Sequence, residues 1–241
     1  MAFFRRPRYF PSLPVVILIS FLLILDAVSA TAEYSSASQS SQAARKITHA
    51  DSSLDAGSVT NGVYRNKTLG FTCRIPAGWV LRTDEMNARD EQSAGNQSAD
   101  SSKTGPAAAS SAGAKVLLAA FSRPPDAKGE DVNSSILIVA ESAAAYPGLK
   151  DALQYFDPLT EVAKAQGFEI DEDPYEIAIE TKTLVRGDFH KDVGTRVMHQ
   201  STLAMLERGY AVSFTVIAGT DDDVEDLIDS LDFGANAGTK K

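Results

Sequence analysis

A short alternating run, Gly70-Phe71-Thr72-Cys73-Arg74-Ile75, leads straight into Pro76-Ala77-Gly78-Trp79, and this segment narrows the fold more than any other in the chain. Successive side chains on a strand point to opposite faces, so Phe71, Cys73 and Ile75 share one face and Thr72 and Arg74 the other. Pro76 has no N–H to offer a ladder and Gly78 supplies a permissive backbone, so the strand ends in a turn. Trp79, the only tryptophan, then returns over the sheet end. Its reading is packing rather than ligand stacking, and truncating such a residue to Ala in a core costs about 3–5 kcal/mol. Cys73 is the only cysteine, so it forms no intramolecular bridge. Facing the same way as Phe71, it reads as a small buried hydrophobe rather than a reactive thiol, with no neighbour in sequence to lower its pKa.

The segment follows an export pattern. Arg5, Arg6 and Arg8 precede a strongly apolar run from Val15 to Leu25, with Ser20 its one polar residue, and the small residues Ala27, Ser29 and Ala30 come next. This is the three-part layout of a secretory signal, with cleavage expected near Ala30 and a secreted or periplasmic destination. Pro7 and the very apolar run favour general secretion over a twin-arginine route, and no Cys follows for lipid anchoring. At about 1.5 Å per residue the run covers only about half of a bilayer core, so a spanning helix is the weaker reading. Its version of the molecule is an anchored domain on a stalk with the signal uncleaved. Residues 1–30 hold three arginines and one aspartate, so their removal takes the net charge from −9 to −11. Such an acidic protein repels phosphate backbones and anionic lipid, which argues against nucleic acid as a partner and against a mature domain in a membrane.

Residues 31–61 are rich in Ser, Ala and Gln with almost no large apolar side chains, and read as a disordered tether. A second stretch of this kind, about 85–114, reads as a disordered insertion inside one domain spanning 62–234, followed by a flexible tail at 235–241. Val116 to Phe121 and Ile136 to Ala140 are continuous apolar runs that suit central strands. Tyr175, Ile177, Ile179 and Thr181 alternate with polar residues as a strand covered on one face. Thr195 to Leu206 and Tyr210 to Ala218 flank Glu207-Arg208-Gly209 and form a hairpin. Leu149, Ala152, Leu153, Phe156 and Ala163 keep helical spacing, with Asp157-Pro158 either kinking that helix or restarting it, and Gly167 ending it. Thr220 is an N-cap for a last helix whose first turn carries Asp221 to Asp223 and whose stripe is Val224, Leu227, Ile228 and Leu231. This order predicts an α+β fold, an antiparallel β-sheet covered by helices, with the Gly70 to Ile75 strand joined in one sheet to Tyr210 to Ala218.

Two blocks of this order resemble a known family. Tyr64 to Asn66, Gly70-Phe71, Ile75-Pro76 and Gly78-Trp79 resemble the opening of the PsbP-like superfamily, which also contains the Ran-binding Mog proteins and DcrB-like bacterial lipoproteins. Arg208-Gly209-Tyr210, Phe214, Ala218 and Leu227 to Phe233 resemble its closing strand and final helix. The resemblance implies a PsbP-like α/β/α sandwich and a binding or accessory role, and it carries no ligand or photosystem association with it. The insertion at 85–114 departs from the family's compact form.

Chemistry-bearing patterns are few. His49 falls in the tether, and His199 is in phase with Val197 and Leu203 as a core or cross-strand histidine. Asp188, His190 and Asp192 alternate so that one strand face presents all three, which suits either a solvated strand end or a metal. Asp171-Glu172-Asp173 before Pro174 marks a turn between helix and strand, with weak calcium binding as the alternative. The sequence has no Gly-x-Ser-x-Gly, no His-Glu-x-x-His, no phosphate-cradling loop and no zinc-spaced cysteines. Three acceptor triplets for glycosylation begin at Asn66, Asn96 and Asn133. The expectation is therefore an exported non-catalytic binding or accessory domain with no catalytic, cofactor or metal residues assigned, partnered by a protein or envelope component. Its alternative is an exported hydrolase or metal-dependent enzyme with its site near Asp188, His190 and Asp192.

Overall fold

The computed structural model describes residues 54–96, 114–124, 127, 129 and 131–234. Two antiparallel sheets carry the fold. The smaller is built from β1 (Ser58–Thr60), β2 (Val63–Asn66), β3 (Phe71–Arg74) and β12 (Leu231–Asp232), in that spatial order. The larger contains β4 (Val80–Leu81), β5 (Ala114–Phe121), β6 (Ser135–Ser142), β11 (Tyr210–Ala218), β10 (Arg196–Glu207) and β9 (Lys182–Val193) side by side. Both β7 (Glu169–Ile170) and β8 (Tyr175–Ile179) pair with the outer edge of β9. With helices α1 (Thr83–Asn96), α2 (Ala152–Ala165) and α3 (Asp221–Ile228), the architecture is α+β, antiparallel sheet under helices.

Local chemistry explains most elements. Phe71 and Cys73 are buried while Thr72 and Arg74 are not, as strand alternation requires. The Trp79 amide donates to the Pro76 carbonyl at 3.3 Å across a four-residue turn, with Gly78 at φ 85°, and Trp79 lies half-buried against the core. The β10–β11 hairpin closes through Arg208 and Gly209 at φ 52° and 82°, the pair of left-handed residues that a two-residue loop between right-twisted strands needs. Thr220 caps α3, its hydroxyl accepting from the Asp223 amide at 3.1 Å, and Val224, Leu227 and Ile228 are buried. Asp151 caps α2 by accepting from the Gln154 amide at 2.9 Å. That helix runs on through Pro158, so Asp157-Pro158 neither ends nor restarts it, and burial of Tyr155, Phe156, Val162 and Ala163 on either side offsets the lost backbone bond.

The large sheet buries both faces. On one, Leu203, Phe214, Val216 and Ile138 meet the small sheet and α3. On the other, Val185, Phe189, Ala204 and Ala211 meet Tyr155 and Phe156 of α2. Gly187 lets α2 settle closely, since a Cβ there would stand 2.5 Å from the Phe156 ring.

Four expectations are corrected. The opening strand and the closing hairpin do not share a sheet: β3 pairs with β2 and β12, and it meets β11 face to face through Phe71 and Phe214, whose ring centroids lie 4.9 Å apart at 81°. Residues 54–61, assigned to the tether, are part of the domain. Leu54 packs on the core, Asn66 donates to the Asp55 carbonyl at 2.8 Å, and Tyr64 donates to the Ala56 carbonyl at 2.9 Å. The first part of the stretch expected as an insertion, 85–96, forms most of α1. Polar grafts hold it where composition shows little hydrophobicity: the Asn87 amide donates to the Val116 carbonyl at 3.0 Å and accepts from the Val116 amide at 3.1 Å, in the manner of a neighbouring strand residue. Residues 1–53, 97–113 and 235–241, with the signal, most of the tether, His49 and the tail, lie outside the described residues. Finally, β9 is a long strand that the alternating pattern around His190 showed only in part, and the acidic turn at 171–173 joins two edge strands, β7 and β8, rather than a helix and a strand.

Candidate functional site

A cleft of about 350 Å³ opens between the β7–β8 corner, β9, β10 and the start of α3. Asp171, Glu172, Asp188, Asp221 and Glu225 line it together with Arg186. Alternation on β9 puts Arg186, Asp188 and His190 on one face, and antiparallel register sets Asp188 opposite Ser201 and His190 opposite His199 on β10. Residues 221 and 225 lie one turn apart on α3, so their carboxylates overhang the same strands.

Arg186 is the hub. Its Nε donates to both oxygens of Asp188 at 2.9 and 3.0 Å, and its Nη2 reaches Ser201 Oγ at 3.2 Å and Glu225 Oε1 at 2.5 Å. Ser201 Oγ donates to Asp188 in turn, and the Tyr175 hydroxyl donates to Asp188 Oδ2 at 3.2 Å. Burial works against the Arg186 charge, yet hydrogen bonds to Glu225 and Asp188 outweigh it and hold its pKa above the ordinary arginine value. The Tyr175 hydroxyl is also raised, by burial first and the Asp188 charge second. Ser201 is buried and its proton is committed to Asp188, so Ser201 and nearby His199 do not form a nucleophile and base.

Each histidine has its own acid. His190 Nδ1 lies 2.5 Å from Asp171 Oδ1, and His199 Nδ1 lies 2.6 Å from Asp221 Oδ1. The hydrogen bond to Asp171 raises the His190 pKa, a little burial opposes it, and the charges of Asp171, Glu169 and Asp192 add to the rise. His199 is held by Asp221 of α3, with His190 and Ala218 as its neighbours across the strands. Asp188, His190 and Asp192 share the expected strand face without converging on one point, since Asp188 is bound by Arg186 and His190 by Asp171. Among the described residues no group of three His, Cys, Asp or Glu side chains is placed to hold a metal ion. Of the acidic turn, Asp171 and Glu172 reach the cleft with Asp188.

Sequence reasoning passed over Arg186, Tyr175, Ser201 and Glu225. The signal for Arg186 was present in the Arg186-x-Asp188-x-His190 alternation, whereas Ser201 and Glu225 reach it only through pairing and helix docking. A second polar group was also passed over, on the opposite face of the sheet. Buried Glu141 accepts from the Tyr146 hydroxyl at 2.6 Å and from the Tyr155 hydroxyl. Burial, with the Glu141 carboxyl beside them, raises both phenols well above the usual tyrosine pKa.

Cys73 is fully buried, and burial pushes its thiol up to about 11 against the lowering effect of the Ser230 hydroxyl. Asn66 of the first glycosylation triplet is only 1% exposed, with its amide spent on Asp55 and Tyr64, which closes that position to modification in the folded domain.

No family model and no curated protein matches the sequence. Solved structures do. The cyanobacterial PsbP (CyanoP) of Synechocystis is similar over 73% of this chain and 97% of its own, at 16% identity and TM-score 0.41. The Ran-binding protein Mog1p of Saccharomyces cerevisiae is similar over 68% of this chain and 90% of its own, at 9% identity and TM-score 0.36. LpqN of Mycobacterium tuberculosis, described as involved in cell envelope biogenesis, is similar over 66% and 76%, at 11% identity and TM-score 0.32.

Proposed function

We propose that the chain is an exported, non-catalytic binding or accessory domain whose cleft holds a cationic segment of a partner protein or envelope component. One observation carries this reading: five carboxylates converge on the cleft, and the arginine among them is already paired with Asp188 and Glu225. A cleft with a marked excess of one sign focuses its field and speeds encounter with the opposite sign. The polar side chains at its floor are bonded to one another, the arrangement of a rigid docking surface. Export rests on the basic, apolar and small-residue pattern of residues 1–30. Among the described residues no helix is long and apolar enough to cross a membrane.

The test is capture of envelope partners by the purified protein across a salt series, beside the Glu172→Gln/Glu225→Gln variant. Capture is expected to fall as salt screens the cleft and to weaken several-fold in the variant. Equal, salt-independent capture by both proteins overturns the reading.

A further inference from the structure

His190 and His199 stand opposite each other in the β9–β10 register, on the face that forms the cleft floor. Their acids come from opposite walls. Asp171 belongs to the exposed corner between β7 and β8, and Asp221 is the first residue of α3. The two walls are anchored unequally. Val224, Leu227 and Ile228 bury α3 in the core, while residues 171–173 are exposed and β7 contributes only two residues to the sheet. Apart from its ion pair, the corner is tied to β9 by the Asp171 amide, which donates to the Asp188 carbonyl at 3.0 Å.

We propose that His190 and Asp171 are a proton-operated clamp on the cleft, with the 171–174 corner as the moving jaw and α3, which meets His199 through Asp221, as the fixed one. Protonation gives the His190 ring a charge that Asp171 attracts and draws the corner onto β9. Loss of the proton leaves only a hydrogen bond from a neutral ring to the Asp171 carboxylate and loosens the corner.

The surrounding charges favour this. His190 faces Glu169 from β7, with 3.8 Å between Nε2 and Oε2, Asp171 from the corner, Asp188 and Asp192 along its own strand, and His199 from β10. His199 faces Asp221 and Glu225 from α3, Arg186, Asp188 and His190 from β9, and the uncharged Ala218 from β11. The His190 imidazolium is therefore surrounded by acids, with Arg186 already neutralised by its own pair. The raised pKa of His190 sets the sign. Its contribution is fully present below the unfolded histidine value of about 6.5 and is lost as pH rises through the higher folded value.

This device rests on the cleft as the binding site only for its purpose, and its test needs no partner. Imidazole and backbone amide signals of the purified protein are followed by NMR from about pH 5 to 8.5, where histidines titrate. The amides of Asp171, Glu172 and Asp173 are expected to shift with the midpoint of His190. Their hydrogen-exchange protection, corrected for base catalysis, is expected to fall about two- to fivefold across it, the size of effect set by one exposed ion pair. His190→Gln is expected to abolish that dependence, and Asp171→Asn to return the His190 midpoint toward the free value. Corner amides that stay flat while His190 titrates overturn the clamp. A working clamp with salt-independent partner capture would instead remove the binding role and leave the switch standing.

Discussion

Two polar groups sit on opposite faces of the same sheet, and they are built differently. Under α2, Glu141 is 3% exposed and holds two tyrosine hydroxyls, sealed from water by Phe156 and its neighbours. Beside α3, Arg186 and Asp188 keep side-chain exposures of 15% and 18% and open into a cleft that more carboxylates line. The sealed group fastens a helix to its sheet, because a buried polar atom without a partner is costly and only one arrangement supplies all the partners. The open group leaves room for an outside occupant. Similar chemistry thus serves architecture on one face and, in the proposed function, recognition on the other, and solvent access separates the two.

That contrast is broken or sharpened by substitution. Glu141→Ala takes the shared carboxylate acceptor from two buried phenols and is expected to destabilise the protein most, by about 3 kcal/mol in urea denaturation. Arg186→Met strips Asp188 of its cation, but water reaches that carboxylate, so a smaller loss of about 2 kcal/mol is expected by the same measurement. If Arg186→Met costs more than Glu141→Ala, the cleft group is the structural one and the contrast fails. Tyr175→Phe deletes one half-exposed hydrogen bond to Asp188 and is expected to shift stability by less than about 1 kcal/mol, with partner capture as the readout that separates recognition from packing.

Legibility followed sequence distance. The Arg208-Gly209 loop, the Thr220 cap with its three aspartates and the Gly78 turn depend on residues within a few positions of one another, and each is present as read. The tether boundary failed because Leu54 and Asp55 owe their order to Tyr64 and Asn66 and to the core, none of which composition reports. The insertion failed at its start for a related reason, since Asn87 borrows its partner from Val116. In the cleft, Asp188 and His190 were legible as one face of a strand, while their partners were not.

The sequence by itself determined the strands β3, β5, β6, β8, β10 and β11, the Gly78 and Arg208-Gly209 turns, the Thr220 cap and the inward face of Phe71 and Cys73, because those follow from side-chain alternation, helical spacing and backbone preference. Only the tertiary structure decided that β3 and β11 belong to two sheets meeting at Phe71 and Phe214. It alone joined Asp171 to His190, Asp221 to His199 and Glu225 to Arg186. Those pairs form after strand register and helix docking are set, and burial of the core, acting over the whole chain at once, sets both.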